Sequence, residues 1–171
     1  MALSNISVSA TDHFAKGGVS KIEVASYEVG GQAISYTAAT NVAAGAIGTN
    51  IVTLEFEKES AKMTSSVSNE LVGLSIHTIT IEGFIPEVSS ARLLALQALV
   101  DSPLIAKVYT YDKPSNPYLV GWDESSSYSS SDSAFPMILS GIEVATGAGL
   151  AESNGCTVTF TCKQSRIPAT Y

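Results

Sequence analysis

Apolar and polar residues alternate along most of this chain. In residues 21–29, Ile22 and Val24 fall on one side, with Glu23, Ala25 and Tyr27 on the other, and Gly30-Gly31 then marks a turn. Residues 32–37 resume the extended pattern through Ile34 and Tyr36, so the two stretches predict a hairpin. A short β-like start at residues 6–8 lies in an N-terminal arm of residues 1–20, and the small, Gly-rich stretch 38–50 predicts a loop. The clearest strand begins at Ile51: Val52, Leu54 and Phe56 point one way, and Thr53, Glu55, Glu57 and Glu59 the other. Polar residues 58–69 continue it or turn at its tip, and residues 71–82 return as a second long strand, giving a long hairpin. The apolar phase of that second strand shifts between Ile76 and Ile79, which predicts a bulge or a change of buried face.

One helix is predicted over residues 87–101, begun by Pro86 and stopped by Asp101-Ser102-Pro103. Among its core positions only Arg92 and Gln97 break the apolar run that includes Leu93, Leu94, Leu96, Leu99 and Val100. A helix lying on one sheet buries one stripe. This one is apolar nearly all round, so either loops cover its second face or another subunit does. Strands follow at 104–111, 118–122, 137–144 and 156–163; Asn154-Gly155 is a turn signal before the last. Residues 124–134 are Ser-rich, lack the apolar material that offsets the entropy of ordering, and predict a mobile loop. The fold class is therefore mainly β: an antiparallel barrel or sandwich in a single domain of 171 residues, with one flanking helix and a long hairpin.

Charged residues make up 15% of the chain and hydrophobic ones 45%, so Ser, Thr, Gly and Asn supply much of the polar surface. Two readings fit: a neutral Ser/Thr-rich β domain, or a surface that largely faces other subunits. The net charge of −7 argues against a protein that grips nucleic acid, which needs clustered Lys and Arg, but is compatible with a surface past which nucleic acid slides without sticking. The N-terminus shows no secretory signal pattern and no apolar run has membrane-spanning length, so synthesis and assembly in a cytoplasm are expected, with no membrane partner.

No residue set predicts catalysis or a cofactor. His13 adjoins Asp12 and His77 lies two residues from Ser75, but no shaped turn surrounds a serine nucleophile. Cys156 and Cys162, six apart on one strand face, are about 20 Å from each other, too far for a disulfide and too few for a zinc site. The glycine pairs lack phosphate-binding spacing. Trp122 and the seven tyrosines suit packing better than a sugar platform. Glu55, Glu57 and Glu59 share one strand face, which flanks no substrate from two sides and lacks a calcium-loop pattern. They form either a solvated strand face or, repeated around a ring, an acidic channel lining that repels passing phosphates.

The order of elements resembles the tail tube proteins of tailed bacteriophages and related contractile injection systems. The resemblance is carried by Ile51-Val52-Thr53-Leu54-Glu55-Phe56-Glu57-Lys58-Glu59 with residues 71–82, by the 87–101 helix, and by the alternating end from Asn154 to Lys163; it covers residues 21–163 as pattern. It implies hexameric rings stacked into a tube that DNA crosses without specific binding. The strands at 51–59 and 71–82 would join a ring-wide sheet, with Glu55, Glu57 and Glu59 facing the lumen. Leu93, Leu96 and Val100 would lie between subunits, and residues 38–50 or the N-terminal arm would reach adjacent rings. Lys58 and Lys62 depart from a strongly acidic lumen. The resemblance further implies a virion location and contacts with other tail proteins such as a tape measure, a terminator or a sheath. Other virion proteins (head decoration, tail terminator or neck) and a carbohydrate-binding β module are the alternatives.

Overall fold

A computed structural model describes residues 17–27, 33–37, 40–48, 50–71, 74–87, 89–100, 102–122, 136–145, 154–165 and 167–171. Among these residues eleven strands and one helix run in the order β1 (Val19–Ser26), β2 (Ala33–Thr37), β3 (Val42–Ala46), β4 (Val52–Glu55), β5 (Lys62–Leu71), β6 (Leu74–Pro86), α1 (Ser90–Val100), β7 (Leu104–Thr110), β8 (Tyr118–Val120), β9 (Ile138–Ala145), β10 (Gly155–Gln164) and β11 (Ala169–Thr170). They build a 7-stranded sheet, β2-β3-β11-β8-β7-β1-β4, and a 4-stranded sheet, β5-β6-β10-β9. All pairs are antiparallel except β3 with β11. The mainly-β class with one helix is as the sequence predicts, and the architecture is sandwich-like, without a closed barrel.

The main core lies between the two sheets. Ile22 and Val24 of β1 and Leu104, Ala106 and Val108 of β7 meet Ile79 and Ile81 of β6 and Val158 and Phe160 of β10, all buried. Each such large side chain contributes roughly 1.5–3 kcal/mol by leaving water. Strand β10 shows the alternation in full: Cys156, Val158, Phe160, Cys162 and Gln164 are buried, while Thr157, Thr159 and Thr161 are half-exposed. Both cysteines are free and buried.

A smaller cluster sits on the other face of the 7-stranded sheet, formed by Ala25, Ala43, Ile47, Ile105, Leu119 and Ala169. Chain connectivity explains it. β3 is second in the sheet and β4 last, yet a Cβ placed on Gly48, two residues beyond β3, would lie 3.1 Å from the Ala25 side chain of β1. Two residues span at most about 7 Å. The sheet must therefore curl until the end of β3 overhangs β1, and Ile47 fills the hollow of the curl.

Several predicted pairings are corrected. Residues 21–29 and 32–37 are not a hairpin: β1 lies between β4 and β7, and β2 pairs with β3. The loop predicted at 38–50 contains β3, whose small residues pack Ala43 into the second cluster. The long hairpin is β5 with β6, not residues 51–59 with 71–82; β4 belongs to the other sheet. No bulge or change of face occurs between Ile76 and Ile79. His77 occupies the core face, continuing the buried series Ile79, Ile81 and Ile85, and Ile76 points the other way. The hairpin's irregularity is at Asn69/Leu71.

The helix starts later than predicted. Pro86 closes β6 opposite Gly155, and Glu87 takes a left-handed φ of 57° while donating its N–H to Asn154 O at 2.9 Å. Ser89 then caps α1: its Oγ accepts from Arg92 N at 3.3 Å. Ser102 closes the other end by donating from Oγ to Ala98 O at 3.1 Å, and Pro103 follows. Strand β11 was not foreseen. The early β start at 6–8, the bulk of the N-terminal arm, Asp12, His13, Gly30-Gly31 and the 124–134 loop lie outside the described residues.

Candidate assembly surfaces

The 4-stranded sheet turns a hydroxyl-rich face away from the core. Pairing aligns Thr64 with Thr80 and Thr161, Ser66 with Thr78 and Lys163, and Lys62 with Glu82 and Thr159. Ser140 Oγ donates to Thr159 O at 3.0 Å and lies 2.9 Å from Thr161 Oγ1. The charges are few and of both signs: Lys62 and Glu82 form an exposed ion pair at 3.2 Å, and Glu143 and Lys163 lie farther along. Such a face offers a polyanion neither a grip nor strong repulsion.

Both edges of this sheet are free among the described residues: β5 on one side and β9 on the other. Apolar side chains sit exposed along them, Val67 on β5 (55%) and Ile138 (49%) and Val144 (47%) on β9. Successive antiparallel neighbours make β5 and β9 run in opposite directions. A copy rotated about an axis along the strands would therefore set its β5 antiparallel to this β9, extending the same hydrogen-bond pattern. Long edges of this kind invite pairing unless they are protected.

The structure breaks up the acidic stripe expected on one strand. Glu55 is the last residue of β4; Glu57 donates its N–H to Phe84 O at 2.9 Å, and Glu59 sits in a turn with φ 67°. The chain leaves β4 there because Phe56 turns into the core and the backbone crosses to the end of β6. All three carboxylates are exposed, but they do not share a strand face and do not lie on the hydroxyl-rich sheet. Of the three helix positions expected between subunits, Leu96 is 2% exposed and belongs to the chain's own core, Leu93 is half-buried, and Val100 is exposed. Leu94, 67% exposed, is the more prominent outward residue and was not singled out from sequence. The apolar run signals two buried faces but does not say which residue serves which.

His77 is buried with its Nδ1 unpartnered and faces Gln164 across the β6–β10 ladder. Burial pushes the Cys156 thiol up, against a smaller opposing effect of the Arg92 charge, so it is a poor nucleophile. Trp122 is half-buried against the second cluster rather than displayed as a platform. Among the described residues no three His, Cys, Asp or Glu side chains gather as a metal site, and no helix is long and apolar enough to cross a membrane.

One polar array is tightly made. Tyr109 Oη donates to Glu23 Oε2 at 2.8 Å, Lys21 Nζ meets Glu23 Oε1 at 3.0 Å, and Lys21 lies over the Tyr109 ring at 4.4 Å. Burial alone would raise the Glu23 carboxyl; hydrogen bonds from Tyr109 and Lys21, with the Lys21 and Lys107 charges, outweigh it and hold Glu23 below its ordinary value. Burial, then Glu23, pushes Tyr109 up to about 12. The unfolded phenol ionises first, near pH 10. The stabilisation from Tyr109 is thus complete below about pH 10 and is lost as pH rises toward 12. Glu23 contributes in the opposite sense, losing its share as pH falls through its depressed folded value. Tyr109→Phe should cost about 1 kcal/mol at neutral pH and flatten the alkaline loss. Urea midpoints at neutral pH and at about pH 11 check both, and an unchanged alkaline slope would assign the loss to other groups.

Comparison with protein-family models, with curated proteins and with solved structures finds no match to this chain.

Proposed function

We propose that the chain is a structural virion protein that assembles with copies of itself into stacked hexameric rings, forming a phage tail tube through which DNA is delivered, with no enzymatic step. The observation that carries this reading is the 4-stranded antiparallel sheet, whose two oppositely directed edges are free among the described residues. Heterologous contacts of this kind close into a ring when the rotation allows. β5 of one copy beside β9 of the next leaves no open edge and joins the sheets into one wall. The hydroxyl-rich face of that sheet then lines the bore, replacing Glu55, Glu57 and Glu59 in that role. Sparse, balanced charge suits passage of DNA without binding, and the tape measure, terminator or sheath would be further partners of the assembled tube. The half-buried Trp122 argues against the carbohydrate module, which needs an exposed aromatic platform.

Electron microscopy of the purified chain tests the assembly: stacked rings of constant bore are expected, and a monomer at high concentration would overturn it. Discrete single rings or trimers would instead favour a head decoration, terminator or neck protein. The bore assignment has its own test. Thr80→Lys with Thr159→Lys adds cations to the middle of the polar face, and virions carrying both should assemble tails but eject DNA more slowly. Glu55→Lys with Glu57→Lys should leave ejection unchanged. The reverse pattern in a DNA-release assay would return the lumen to the acidic turn.

A further inference from the structure

Among the described residues a different free edge lies away from the surfaces assigned to ring closure. β4 ends the 7-stranded sheet, and its pairing with β1 fixes which of its backbone groups are satisfied. Phe56 donates its N–H to Ser20 O at 3.2 Å. Antiparallel ladders alternate, so Leu54 and Val52 also turn their backbone groups to β1. Thr53 and Glu55 therefore aim N–H and C=O outward. They open into a groove of about 420 Å³ between β4 and α1, walled by Phe56, Ile85 and Leu96 and bordered by Glu55 and Arg92. Arg92 Nη1 donates to Pro86 O and Glu87 O, both at 2.8 Å, which fixes the guanidinium beside the groove and leaves its other N–H groups for a partner. Arg92 and Glu55 line the same space without forming an ion pair.

We propose that this groove takes one extended strand of another polypeptide, hydrogen-bonded to the outward backbone groups of Thr53 and Glu55 and presenting a carboxylate to Arg92. Strand addition supplies main-chain hydrogen bonds, and the apolar wall receives alternate side chains. Charge selects among strands. An acid meets the fixed guanidinium, whereas an acid directly across from Glu55 is disfavoured. Nucleic acid is a poor occupant, because its phosphates would meet Glu55 in a chain of net charge −7. The groove uses neither β5 nor β9, so it stands independently of the tube reading.

The test uses a fluorescent, end-blocked heptapeptide of alternating threonine and valine with a central glutamate, and the same peptide with a central lysine. Anisotropy titration against the full chain should show the glutamate peptide binding about threefold tighter than the lysine peptide, and Arg92→Glu should invert the order. Deuterium exchange should show the bound peptide protecting the amides of Thr53 and Glu55. Thr53→Pro deletes an outward N–H without touching the β1 ladder, a change edge strands tolerate, and it should abolish binding. Glu55→Pro, whose N–H also points outward, is the second variant if circular dichroism shows Thr53→Pro to be unfolded. No binding, equal binding of both peptides by the unaltered chain, or full binding by the folded proline variant overturns the proposal. So does a proline variant that changes only the size of the chain's own assemblies, because the occupant is then a second copy.

Discussion

Lysine at Val67, Ile138 and Val144 together should leave a folded chain that no longer forms rings. These side chains are 55%, 49% and 47% exposed in the single chain, so each replacement removes little internal packing. Surface changes of this kind usually shift stability by less than about 0.5 kcal/mol. In the proposed ring the same positions would sit at the seam between β5 of one copy and β9 of the next. Three lysines there would each lose water and face like charges across the seam, and charged edge residues are a common device that keeps sheets from pairing. The penalty repeats at every seam of a ring, so the expected effect is loss of assembly rather than a shift in its midpoint. Light scattering should report a monomer and circular dichroism an unchanged β spectrum. Tubes of normal length from the triple variant would mean that copies meet through other surfaces.

The contrast between β10 and β5 explains how much of this fold is legible in the sequence. Cys156, Val158, Phe160 and Cys162 alternate with threonines, and the strand they predict is the strand observed. β5 carries Thr64, Ser65, Ser66 and Ser68, spaces its apolar residues Met63 and Val67 four apart with polar residues between, and so passes for the continuation of its predecessor. β3 is hidden for a related reason, because Val42-Ala43-Ala44-Gly45-Ala46 is too small to look like a strand until β2 pairs beside it. Periodicity also marks strands without naming their partners. Ser20 Oγ reaches Tyr109 O, 89 residues away, and no local pattern announces that β1 belongs beside β7. The candidate surfaces divide in the same way. Glu55, Glu57 and Glu59 do alternate in sequence, but the left-handed turn at Glu59 and the crossing at Glu57 are set by contacts with β6. The free edges at β5 and β9 become visible only once the sheet order is known.

The helix gives the second large effect, and it separates two roles that the apolar run blurs. Leu96→Asp should unfold the chain. Leu96 is 2% exposed and packs in the main core with Leu99. Removing a buried leucine side chain costs roughly 2–5 kcal/mol, and a carboxylate left there without a partner adds several more or must take up a proton. Whole domains are stable by only about 5–15 kcal/mol, so little or no folded chain should remain at neutral pH. Leu94→Asp, two residues away on the opposite side of the helix and 67% exposed, should leave the urea midpoint within about 0.5 kcal/mol of the unaltered chain. If α1 packs against a neighbour, Leu94→Asp should also weaken assembly, because only its outer face is altered. Urea denaturation with light scattering on both variants makes the distinction. A folded Leu96→Asp chain would mean that the helix is not part of the core. A folded Leu94→Asp chain that still assembles fully would mean that Leu94 faces solvent in the assembly and that its side of α1 makes no subunit contact.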